Sequence, residues 1–191
     1  PDGGKPNKIV QNTYSNAFLQ VLDTDKDGLY DFLEDEIDSD KFNVDTDGDG
    51  VPDAQEYLTD HTKILDPKSY LVVKPNVTTT DIESNKAEVI EGTVPKTIYD
   101  NPADTTKKLE ATNQNAGNVI VKAYKYVADD TDYTTQSVKA QTTIPFSDLK
   151  EGKFKVNIPA GTFQDGDKVI LVAYSPDGKN PMVSDTKVNV G

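Results

Sequence analysis

The chain has 191 residues, no cysteine, a single histidine and a formal net charge of −13. Without cysteine there is no disulfide framework, thiolate zinc site or cysteine nucleophile. Every base is lysine, so the side chain preferred for bidentate phosphate and guanine contacts is missing and nucleic acid is not an expected partner. No apolar run approaches the ~20 residues of a membrane span, and no basic-then-apolar leader opens the chain. The expectation is a soluble segment of a longer protein, with no direct membrane insertion.

The first predicted element is a helix over 9–22, IVQNTYSNAFLQVL, whose Ile9, Tyr14, Phe18, Val21 and Leu22 fall close to helical spacing on one face. That stripe is expected to pack on Leu29, Leu33, Ile37, Val51 and Tyr57. The negative charge then arrives all at once. Residues 23–60 hold 15 Asp and Glu against Lys26 and Lys41; subtracting them from the 33 acids and 20 lysines of the whole chain leaves 18 of each, so the remainder is neutral.

An acidic run can be a disordered tail, but the spacing here is ordered. DTDKDGLYDFLE places Asp23, Asp25 and Asp27 at positions 1, 3 and 5, Gly28 at 6, Leu29 at 7, Asp31 at 9 and Glu34 at 12. DTDGDGVPDAQE repeats the pattern with Asp45, Asp47, Asp49, Gly50, Val51, Asp53 and Glu56. A twelve-residue calcium loop draws oxygens from positions 1, 3, 5, 7, 9 and 12, with a glycine at 6 for the sharp turn and a main-chain carbonyl at 7. Magnesium holds a tighter octahedron and keeps its water, and transition metals seek nitrogen or sulfur, which the segment lacks. Calcium at two sites is therefore the expected cofactor, with Glu34 and Glu56 each clamping an ion through two oxygens. At position 8 of the second loop Pro52 has no N–H to pair with a partner loop, and its fixed φ suits the start of a helix.

The apolar residue at position 7, the close repeat and the linking SDKFNVD resemble the thrombospondin type 3 repeats of bacterial surface proteins, over roughly residues 23–67. The analogy offers Asp40 and Asn43 in the first linker, and Asp60 in the second, as further ligands or bridges, and with them a third ion; acids in a solvated linker account for the same letters. With sites like those of extracellular modules, of Kd near 10⁻⁴ M, ~1 mM calcium stabilises by about 1.4 kcal/mol per site, roughly 3 kcal/mol for two. The apolar mini-core is too small to overcome carboxylate repulsion alone, so the module is expected to order with calcium.

From residue 68 onward short runs rich in Val, Thr, Ile and Tyr alternate with Gly, Pro, Asp and Asn turns. Strands are predicted at 69–74, 86–94, 107–112, 118–127, 134–144, 153–158, 168–174 and 182–190, which is the content of a sandwich. Gly152 with Phe154, Ile158-Pro159, Gly166-Asp167, Ala173 and Gly178 resemble the closing strands of bacterial Ig-like repeats. The expected fold is thus mostly β: a small helix-loop calcium-binding module over 1–67, then an Ig-like β-sandwich over 68–191. A polar insertion around Tyr99 to Asn115 is read as a solvated hairpin loop or a binding loop.

Catalysis finds no constellation. His61 is expected in a surface linker and the acidic pairs are taken up by metal, so no enzyme is expected. A lysine–asparagine crosslink, Lys74 or Lys122 with Asn189, is eligible by chain position, although exposed lysines explain the same residues. The combination of modules resembles the biofilm-associated protein family of Gram-positive adhesins. That likeness implies a secreted or wall-anchored segment in which calcium rigidifies the module and controls self-association, with calcium-poor protein rearranging. The alternative is calcium as a static rivet, the sandwich itself binding a host protein or glycan.

Overall fold

The computed structural model describes residues 22–191, which fold as two compact units: one built from the chain up to Leu65 together with Ile98–Thr112, the other from Asp66–Thr97 and Asn113–Gly191. The helix expected over 9–22 lies, except for Leu22, outside the described residues.

The first unit is made of loops and short helical turns. Helix α1 (Asp31–Ile37) ends at Asp38, whose left-handed φ of 63° returns its N–H to the Glu34 carbonyl. Helix α2 (Asp53–Gln55) follows Pro52, which stands just before it in extended conformation, and runs on into a wide π turn, Glu56–Asp60. His61, at φ 54°, stops that turn by donating its N–H to the Glu56 carbonyl. The apolar core is small: Leu29, Ala54 and Ile64 are buried, with Leu33 and Ile37 packed against them. Val51 is buried as expected, but Tyr57 is 40% exposed and adds little to that core.

The second unit is a sandwich. One sheet has the order β1 (Asn76–Val77), β3 (Glu88–Thr93), β8 (Lys153–Ile158). The other has the order β2 (Asp81–Ile82), β11 (Val188–Val190), β9 (Lys168–Tyr174), β6 (Val119–Lys125), β7 (Ala140–Ile144), with β10 (Met182–Val183) also on β9. All pairings are antiparallel except β2 with β11. In β8 buried residues alternate strictly with exposed ones, while β9 is buried on both faces beyond Lys168. Ile90, Val121, Ile144, Val156 and Leu171 have no exposed surface. Burying each such side chain stabilises by about 1.5–3 kcal/mol. The outer face of β9 is covered too: Ile170, Val172 and Tyr174 pack with Tyr124 and Tyr133.

Several strand expectations change. Residues 69–74 form no ladder; Tyr70 and Val72 are buried, so the alternation was real, but pairing begins only after Pro75. The run 134–144 pairs only from Ala140, because the chain before it turns at Tyr133 (φ 58°) to bury that ring. The last run is two pieces, since Ser184 interrupts the edge of β9: its Oγ accepts the Leu171 N–H and donates to the Thr186 carbonyl. Gly152 is obligatory, because at its φ of 64° a Cβ would lie 2.2 Å from the Val94 carbonyl oxygen. The groups considered for a crosslink have other partners: Lys74 pairs with Asp185 at 2.9 Å, Lys122 lies over the Tyr174 ring, and Asn189 donates to Asp81 at 3.0 Å.

The insertion is the main departure. Residues 100–101 (β4) and 104–108 (β5) form their own two-stranded sheet, and Ile98–Thr112 clusters with the acidic loops rather than with the sandwich.

Candidate metal centre

The two acidic loops are built by the same bonds, 22 residues apart. At position 3, Asp25 accepts the Asp27 N–H and Asp47 the Asp49 N–H, both at 3.1 Å. At position 5, Asp27 accepts the Leu29 N–H and Asp49 the Val51 N–H, both at 2.7 Å. At position 1, Asp23 and Asp45 accept the N–H groups of Gly28 and Gly50. These turns wind the chain so tightly that position 6 takes φ 105° at Gly28 and 91° at Gly50, a region L side chains enter at a cost of about 1–2 kcal/mol. At Gly50 a Cβ would also lie 3.1–3.2 Å from the Cβ and N of Ala111.

Position 9 has a structural task. Asp31 takes the Thr24 N–H at 2.8 Å on one oxygen and the Thr24 hydroxyl at 2.7 Å on the other. Asp53 holds Thr46 in the same way at 2.8 and 2.5 Å. Each position-9 carboxylate therefore closes its loop onto position 2, a bracing that spacing did not reveal, although the repeated Asp-Thr-Asp was its only trace.

The carboxylates gather into three groups whose oxygens lie within 4.8 Å of one another: Asp23, Asp25 and Asp27; Asp45, Asp47 and Asp49; and Asp27, Glu34 and Asp53. Glu34, Asp49, Asp53 and Glu56 have no exposed surface. Neither oxygen of Glu34 has a hydrogen-bond partner, nor has Asp23 Oδ1, Asp25 Oδ2 or Glu56 Oε2, all of them buried. Glu56 Oε1 accepts the Thr62 hydroxyl at 2.7 Å. A buried carboxylate without partners is costly unless a cation meets it. Lys41, one of the two lysines of the segment, bonds Asp35 outside the groups.

The electrostatics follow from this crowding. Burial first, then neighbouring carboxylates, raise Asp25 to about 6, Glu34 and Asp47 to about 8, Asp53 to about 7 and Glu56 to about 9; Asp27 is raised by the same causes. Each group resists carrying its charge alone. Donors that are all oxygen, negative, buried and in part unbonded could hold a metal ion, and fit a hard cation.

The remaining expected residues lie differently. Leu29 and Val51, at position 7, turn their side chains into the interior, 1% and 2% exposed. Asp40 and Asn43 are exposed and shape the linker: Asp40 accepts the Phe42 N–H, and Asn43 donates to the Asp45 carbonyl. Asp60 accepts from Gln55 at 2.8 Å and from the Tyr99 hydroxyl at 3.4 Å. Neither Asp40 nor Asp60 belongs to any of the three acidic groups among the described residues. His61 is exposed, with Nδ1 3.2 Å from the Tyr57 carbonyl.

Two contacts were not legible beforehand. Asp27 Oδ2 accepts the Ala54 N–H at 3.0 Å, so the first loop caps the helix leaving the second. The Thr112 N–H donates to the Gly48 carbonyl at 2.8 Å, seating the end of the insertion on the second loop. No family model matches the chain, and no curated protein matches it.

Proposed function

We propose that this chain is a calcium-binding structural segment of a bacterial cell-surface protein, secreted or wall-anchored, in which calcium orders the first unit and thereby governs self-association. The carrying observation is the pair of identically bonded loops converging buried, all-oxygen carboxylates. Calcium is favoured over magnesium because six to eight flexible oxygen ligands suit the larger ion. Positions 1, 3 and 5 of each loop, with Glu34 and Glu56, supply the carboxylates; Leu29 and Val51 supply carbonyls, and Asp31 and Asp53 act as braces that reach the ion through water.

A surface role is supported by the apolar side chains the small unit leaves in solvent. Phe42 is 71% exposed, Leu58 57% and Tyr30 48%, an unusual load around so small a core. With calcium bound these are fixed on a rigid frame. Without it, carboxylate repulsion opens the unit and frees its interior for contacts between chains.

Light scattering on the full chain at physiological salt tests this reading. Protein in millimolar calcium is expected to stay monodisperse, and protein in excess chelator to associate with time. Identical scattering in the two conditions would remove the switch from the proposal.

A further inference from the structure

The two acidic loops share their internal bonds but not their surroundings. At position 4 Lys26 is exposed where Gly48 is buried, and at position 6 Gly28 is exposed where Gly50 is buried. At position 1 Asp23 is half-buried, whereas Asp45 is 5% exposed. The polar insertion accounts for the difference, because it lies on the second loop. The Thr112 N–H bonds the Gly48 carbonyl at 2.8 Å, and Ala111 stands so near Gly50 that a Cβ there would meet it at 3.1 Å. At the other end of the insertion the Tyr99 hydroxyl donates to Asp60 at 3.4 Å, and Asp60 also accepts from Gln55, the neighbour of Glu56. The Leu109 N–H, bonded to the Tyr99 carbonyl at 2.8 Å, ties the two ends together. Towards the first loop the insertion leaves a cavity of about 430 Å³, lined in part by Asp27, Gly28, Tyr99 and Pro102.

We propose that Ile98–Thr112 is a lid on the second loop alone, which makes the two calcium sites unequal. The second is tight and slow to release its ion; the first is weaker and quick, and is therefore the one that answers to changing calcium. This rests on the reading that both loops bind calcium. An emptied loop opens under the repulsion of its own carboxylates, and the affinity observed is the intrinsic affinity reduced by the fraction of chains whose loop is closed. The contacts of Tyr99, Ala111 and Thr112 favour the closed form of the second loop and must break before it opens. One or two hydrogen bonds of ordinary net worth account for about a tenfold difference between the sites, with the two constants on either side of about 10⁻⁴ M.

Stopped-flow mixing of the calcium-loaded full chain with a fluorescent chelator reads the release of each ion. Two phases of equal amplitude are expected. Asp25→Asn should remove the fast phase and Asp47→Asn the slow one. Thr112→Pro, which deletes the N–H given to Gly48, should speed the slow phase about tenfold and leave the fast phase alone, and the milder Tyr99→Phe should act in the same direction. Hydrogen exchange supplies a second readout: the amides of 98–112 should stay protected in calcium in Asp25→Asn and lose protection in Asp47→Asn. A single release phase, a fast phase altered by Thr112→Pro and Tyr99→Phe alike, or protection of 98–112 that follows the first loop would overturn the lid and leave the loop sites standing. Release of fewer than two ions per chain would overturn the loop reading as well.

Discussion

Excess chelator is expected to lower the thermal midpoint of the first unit by roughly 12–24 °C while leaving the sandwich transition where it was. Two sites of Kd near 10⁻⁴ M at ~1 mM calcium contribute about 3 kcal/mol, and each kcal/mol moves a unit of 60–100 residues by about 4–8 °C. The effect is large because the other stabilising terms are few. Leu29, Ala54 and Ile64 form the buried core, the helices are single turns or little more, and isolated helices of that length are marginal in water. The sandwich has its own core around Ile90, Val121, Val156 and Leu171, and no acidic group of the three lies in it. Differential scanning calorimetry in calcium and in chelator reads both transitions; superimposable scans would mean that the carboxylates are not held by calcium.

The pH dependence of the first unit should change sign with calcium. Without the ion, Asp25, Glu34, Asp47, Asp53 and Glu56 have folded pKa values of about 6 to about 9, above their ordinary values near 4. A carboxylate whose folded pKa is raised binds more protons folded than unfolded, so stability is highest below the unfolded value and falls as pH rises towards the folded one. The chelated unit should therefore melt at a higher temperature at pH 5 than at pH 8.5. With calcium the order reverses, because the ion competes with those same protons and its apparent affinity climbs across the window. Melts at the two pH values, with and without chelator, form the test, and a chelated unit more stable at pH 8.5 would show that the crowding is not as described.

The bonding explains why the loops were legible and the rest of the site was not. The bonds by which carboxylates at positions 1, 3 and 5 wind each loop span two to five residues, so local spacing carries the loops themselves. The bond from Ala54 to Asp27 spans 27 residues and that from Tyr99 to Asp60 spans 39; neither leaves a periodic trace. The insertion misled for the same reason, since polar letters around Tyr99–Asn115 suit a solvated hairpin as well as one seated on Gly48 and Gly50. In the sandwich, alternation at 69–74 reported burial of Tyr70 and Val72 faithfully but could not tell whether a neighbouring strand was there to pair with.

Calcium titration by isothermal calorimetry against a background of 10 mM magnesium tests most directly whether these buried oxygens are a calcium site. Saturable binding with Kd near 10⁻⁴ M, little altered by magnesium, is the expected result. Absence of heat at millimolar calcium, or binding abolished by magnesium, would contradict it.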